Sequence, residues 1–170
     1  GNISAQKGAR EMAKTAVKTI EQSSESVKFA IIGGRSAETA REMDQIIPSE
    51  FEKQIEFHGF VPYDDVRPFF KSANIAIELN QPTFWNKQSK ASSKLFRYMA
   101  AQLPIVISDF PGFGEFIRKT ESGVPVDPTD PADASRAIVE LVENKQKRSR
   151  LGENGYNAFS NRYNWEVEKK

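Results

Sequence analysis

The stretch from Ala91 to Asp109 constrains the fold more than any other, because its hydrophobic period changes halfway. Leu95, Tyr98, Met99 and Gln102 fall at helical spacing, and Phe96 and Ala100 widen the apolar face. So wide a face requires a helix packed on two sides. Ser92 or Ser93 can cap its first turn, since a serine oxygen accepts from the free amides there. Pro104 ends the helix, and Ile105-Val106-Ile107 follows as a continuous apolar run. That is the pattern of a strand buried on both faces of a parallel sheet. A helix running directly into such a strand is half of a right-handed α/β crossover.

The rest of the chain repeats the alternation. Ala9, Met12, Ala13, Ala16, Val17 and Ile20 predict an amphipathic helix ending near Ser23. Val27 to Ile32 reads as a strand stopped by Gly33-Gly34, and Ser36 as the cap of a helix reaching Ile46-Ile47. Ile55 to His58 is a short strand closed by Gly59, and Asp64-Asp65 open a short helix carrying Val66, Phe69 and Phe70. Ile75 to Leu79 is another strand; Asn80 to Lys90 reads as a polar loop holding Phe84-Trp85. Pro111 to Gly114 leads to a helix near Glu115 to Lys119, where Glu115 could cap. Val124-Pro125-Val126 is an edge strand, since proline cannot donate to a ladder. Asp130 or Asp133 starts a helix, Lys147 to Phe159 forms another, and Tyr163-Asn164-Trp165 begins a last one. The expectation is one domain over residues 1–170: an α/β, Rossmann-like parallel sheet of five strands with helices on both faces. Ligands of such sheets bind beyond the carboxyl ends of the strands, so the loops there hold the candidate site.

Composition narrows the function. The formal charge is +1, from 24 basic and 23 acidic residues, which argues against a nucleic-acid surface. With no cysteine, thiolate metal sites and disulfides are excluded, and a cytoplasmic location fits. No apolar run reaches membrane-spanning length.

Ser93-Lys94-Leu95-Phe96, Tyr98-Met99-Ala100-Ala101, Pro104-Ile105-Val106 and Ser108-Asp109 together resemble a segment of family-4 retaining glycosyltransferases. In that family the segment reads P-S-K-L-F-E-Y-M-A-A-G-x-P-V-V-x-S-D and lies in the nucleotide-sugar domain. Similar echoes run along the chain: Gly1 to Gly8 against G-R-L-x-x-x-K-G, Gly33-Gly34 against V-G-G-G, and Ile55 to Val61 against v-x-F-x-G-x-V. Asp109 to Glu115, Gly123 to Asp130 and Tyr163 to Trp165 continue the order. The resemblance implies the C-terminal half of a GT-B fold, its first strand truncated at Gly1, with an N-terminal acceptor domain absent from this chain. It implies a hexosyltransferase using a nucleotide-diphosphate sugar, in glycan or polysaccharide biosynthesis, with no cofactor and no metal. Membrane association would be peripheral and only through the missing part. The family's catalytic histidine lies in the other domain, so no catalytic residue is carried over, and His58 reads as structural or merely exposed.

By the same resemblance Lys7, Ser92, Ser93 and Lys94 would hold the donor diphosphate. A helix start with hydroxyls and an ammonium beside it suits an anion on physical grounds too. Gly33, Gly34, Phe60 and Val61 would wall the nucleoside, with Arg97 beside it. Three departures stand out: Asn2 replaces an arginine, Gln102 a glycine, and Arg97 the later of two glutamates. The earlier glutamate falls at or near Ser89, which would then touch the sugar. Arginine carries only donors, so Arg97 cannot accept from ribose as that glutamate would, though it can reach a phosphate. A competing expectation is a non-catalytic scaffold of the same fold.

Overall fold

The alternating periods become alternating strands and helices. The computed structural model describes residues 2–88 and 92–163. In chain order the elements are β1 (Asn2–Ile3), α1 (Ala9–Gln22), β2 (Phe29–Ile32), β3 (Gly34–Arg35), α2 (Ala37–Asp44), β4 (Ile55–Gly59), α3 (Arg67–Ser72), β5 (Ala76–Glu78), α4 (Phe84–Gln88), α5 (Ser93–Ala100), β6 (Ile105–Ser108), α6 (Pro111–Thr120), β7 (Gly123–Val126), α7 (Pro131–Glu143) and α8 (Lys145–Arg162). Every strand pairing is parallel: β1 with β3, β2 with β4, and β5-β6-β7 in order. The five expected strands are present, and the short β1–β3 pair adds to them. Gly34 therefore continues in extended chain, where the double glycine read as a stop.

Strand β6 shows why an unbroken apolar run was needed. Ile105 and Ile107 join Leu95, Met99, Phe113 and Ile117 on one face, while Val106 joins Ile31, Ile55, Ile138 and Leu141 on the other. All four β6 residues, Ser108 included, are fully buried. On the second face α1 packs on α7 through small residues, Ala9, Ala13 and Ala16 against Ala134 and Ala137. The seam carries polar bonds as well: the Thr19 hydroxyl donates to the Thr15 carbonyl at 2.8 Å, and Ser135 donates to Gln22 at 3.0 Å.

Three expectations need correction. Phe84–Gln88 is a helix within the expected loop, held because the Asn86 amide group donates to the carbonyls of Gln6 (3.2 Å) and Gln81 (2.8 Å). Helix α6 begins at Pro111, whose ring fits a first helical position; Glu115 lies in the next turn and cannot cap it. The 147–159 helix begins at Lys145, capped by Asn144, and reaches Arg162. Asn164 and Trp165, expected to continue a final helix from Tyr163, lie outside the described residues, as do Gly1 and Ser89.

Two hydrogen-bonded carboxylates give pH-dependent contributions. Glu143 accepts from the Ser24 amide (3.0 Å) and hydroxyl (2.7 Å), which hold its carboxyl below the ordinary carboxylate range. Asp127 is likewise lowered by the Thr129 hydroxyl and amide. A lowered folded value means the stabilisation is present above the unfolded value and is lost as pH falls through the folded one. Acid unfolding of Glu143→Gln should therefore show a shallower loss of stability below about pH 4.5 than the native chain. Parallel curves would remove Glu143 from the account.

Candidate functional site

Ser92 is the N-cap of α5: its hydroxyl oxygen accepts from the Leu95 amide at 3.2 Å. The same hydroxyl donates to Glu78 Oε2 at 3.0 Å. Lys94, in the first turn of the helix, places Nζ 2.8 Å from Glu78 Oε1, and the Asn80 side-chain amide donates to that oxygen at 3.2 Å. Glu78 ends β5 on the face that α5 covers, and its side chain is 3% exposed. Three donors thus converge on one buried carboxylate. Ser108 at the end of β6 donates to the Asn80 carbonyl at 2.8 Å, so two adjacent strand ends are tied beneath it. Burial, and then the negative Glu78 nearby, push the Tyr98 phenol far above its ordinary value, with Arg97 opposing.

The loop carrying Lys7 reaches the same strand end. Ala5–Lys7 forms one tight turn, and Gly8 follows in the left-handed region at φ 73°. A Cβ on Gly8 would lie 2.1 Å from the Leu79 carbonyl oxygen, so backbone packs directly on backbone. The Gln81 amide donates to the Gln6 carbonyl at 3.1 Å. Lys7 is exposed on that anchored turn. Lys7, Ser92, Ser93 and Lys94 thus belong to two segments that meet at the carboxyl end of β5.

The nucleoside candidates divide. The Gly33 amide donates to the Gly59 carbonyl at 2.7 Å and draws together the loops after β2 and β4. Phe60 stands 73% exposed beyond them, and Val61 is half-buried. Arg97 turns toward that side: its guanidinium lies over the Tyr63 ring at 4.2 Å. It borders a groove of about 430 Å³ between α3 and α5, also lined by Arg67, Phe70 and Lys71. Phe84 and Trp85, 68% and 77% exposed, stack edge to face on α4. His58 is exposed at the end of β4, with its ring 4.8 Å from Phe69 and its Nε2 3.5 Å from Glu56.

Sequence reading missed Glu78, Asn80 and Tyr63. A signal existed for the first, since an acid inside an apolar strand is out of place. Nothing in the spacing connects Tyr63 to Arg97.

Among the described residues no helix is long and apolar enough to cross a membrane. The family model for glycosyl transferases group 1 matches residues 1–158. No curated protein sequence matches the chain. Several solved structures share the fold. A point mutant of S. aureus TarM, in complex with fondaparinux, alpha-GlcNAc-glycerol and UDP, is 16% identical with a TM-score of 0.80; the match covers 99% of this chain and 32% of TarM. The C-terminal domain of a group 1 glycosyl transferase (LpcC) from Francisella tularensis is 18% identical with a TM-score of 0.79, covering 97% and 84%. Anabaena HepE in complex with UDP-glucose is 16% identical with a TM-score of 0.80, covering 96% and 43%.

Proposed function

The chain belongs to the group 1 glycosyl transferases, and we propose that within them it binds a nucleotide-diphosphate sugar and supplies the donor half of a sugar-transfer site. The observation that carries this is the meeting of the Lys7 turn with the start of α5 at one strand end. Lys7, Ser92, Ser93 and Lys94 take the diphosphate, and cations with helix-end amides stabilise it as it leaves. The loops at Gly33, Gly34, Phe60 and Val61 take the nucleoside, Arg97 sits beside it, and Ser89 is assigned to the sugar. That relatives were captured with UDP and UDP-glucose supports trying uridine nucleotides first.

The chain spans 32% and 43% of the TarM and HepE chains, and the acceptor site is assigned to a further N-terminal domain. Transfer by retention, in cytoplasmic glycan or polysaccharide biosynthesis, follows on this reading. No cofactor and no nucleic acid are assigned. This chain alone should not transfer sugar, because closure of two domains excludes water and completes the site.

Calorimetry with UDP, GDP, uridine, guanosine and pyrophosphate tests the reading. Weak binding dominated by the diphosphate is expected. With no acceptor at position 97, nucleoside affinity should lie one to two decades (about 1.5–3 kcal/mol) below that of a site with a carboxylate there. Lys94→Ala should weaken diphosphate binding, and Arg97→Glu should improve the nucleoside contribution. Uridine binding as tightly as UDP would sink the assignment of the α5 start. A non-catalytic scaffold of this fold would bind none of the five.

A further inference from the structure

Glu78 is the only acidic or basic residue among the buried positions described, and the proposed chemistry makes no use of it. Its carboxylate accepts a hydrogen bond from the Ser92 hydroxyl at 3.0 Å and pairs with the Lys94 ammonium at 2.8 Å. These are two of the groups assigned above to the diphosphate. Glu78 is fixed by its place on β5, by the near-complete burial of its side chain and by the added Asn80 donor. Lys94 is the solvent-facing partner, with 44% of its side chain exposed and two further N–H groups to offer.

We propose that Glu78 is an internal anion that attenuates the phosphate-binding end of α5 by neutralising Lys94 and occupying Ser92. The inference rests on the donor-site reading. An incoming diphosphate must share the ammonium with a fixed carboxylate and also bear that carboxylate's repulsion. Desolvation strengthens both effects, because a buried charge is poorly screened. Glu78 is thus a positioning residue that sets how strongly the site answers negative charge. It biases the site toward ligands that place less charge at the α5 start.

Titration of inorganic pyrophosphate and of UDP into this chain and into Glu78→Gln is the test, with thermal unfolding run alongside. Glutamine keeps the shape and an acceptor oxygen while removing the charge. Affinity for both ligands should rise about tenfold in Glu78→Gln. A side chain that merely shaped the strand end could only lose affinity when replaced. The double variant Glu78→Gln, Lys94→Gln should bind more tightly than Lys94→Gln alone, because the two differ only in the repulsion from the Glu78 carboxylate. A folded Glu78→Gln that binds no better than the native chain overturns the attenuation and leaves the donor-site reading standing. Should the single variant fail to fold, that comparison decides: a double variant that binds no more tightly than Lys94→Gln also overturns the attenuation. Absence of binding by the native chain and its variants overturns the two readings together.

Discussion

Gly8→Ala is expected to destabilise the chain by about 3 kcal/mol and to weaken any pyrophosphate binding in the molecules that remain folded. Two costs combine. At φ 73° an L-residue with a Cβ is strained by ~1–2 kcal/mol. The new methyl would also sit 2.1 Å from the Leu79 carbonyl oxygen. That neighbour is backbone, so no rotamer change relieves the overlap. Relief requires lifting the Ala5–Gly8 turn off the end of β5, which breaks the Gln81-to-Gln6 hydrogen bond and removes an anchor of α4. Urea unfolding reads the first effect and calorimetry the second. A loss under about 1 kcal/mol would show that the turn moves freely and that Lys7 is not held at the strand end.

Gly152→Ala should destabilise by about 2–3 kcal/mol, against the sign that helix propensity predicts. Gly152 lies inside α8, where alanine ordinarily gains ~1 kcal/mol over glycine. Here the helix crosses the turn that follows α5, and a Cβ would stand 2.3 Å from the Gln102 carbonyl oxygen and 3.1 Å from its carbon. The clash is again with backbone. Gln102 is itself left-handed, at φ 59°, where the family resemblance places a glycine. Gln102→Gly should accordingly stabilise by about 0.5–1 kcal/mol, by removing that strain. Thermal melts of the two variants should move in opposite directions. A stabilised Gly152→Ala would mean that α8 does not rest on this turn.

What could be read from the sequence divides along physical lines. Helix α1 and the α5–β6 unit were legible because each buries a periodic apolar face, and period survives without knowledge of partners. The Ser92 cap was legible because its bond to Leu95 is local. Helix α4 was not, since Asn86 holds it through a carbonyl some eighty residues away and its own apolar residues face solvent. The start of α6 was misplaced because two glycines beside Pro111 suggested a loop more strongly than one proline suggested a first turn. At the site, the grouping of Lys7 with the α5 start came from the family resemblance and from the loops that follow parallel strands. What occupies Lys94 did not. The Glu78 partner lies on a neighbouring strand, and only the register of β5 under α5 brings the two charges to 2.8 Å.

Strand β7 leaves one sheet edge uncovered by any further strand among the described residues, and its sequence bears on how copies of the chain behave in a crowded solution. The carbonyls of Ser122 and Val126 accept from Ile105 and Asp109 of the neighbouring strand region, so alternation turns the backbone nitrogen of Pro125 outward. That nitrogen carries no hydrogen. A second chain adding itself along this edge would find a donor missing at the middle of a four-residue strand. The edge that closes the domain is therefore a poor template for open-ended strand addition, and Pro125 helps keep folded molecules apart where bare backbone would invite them to polymerise.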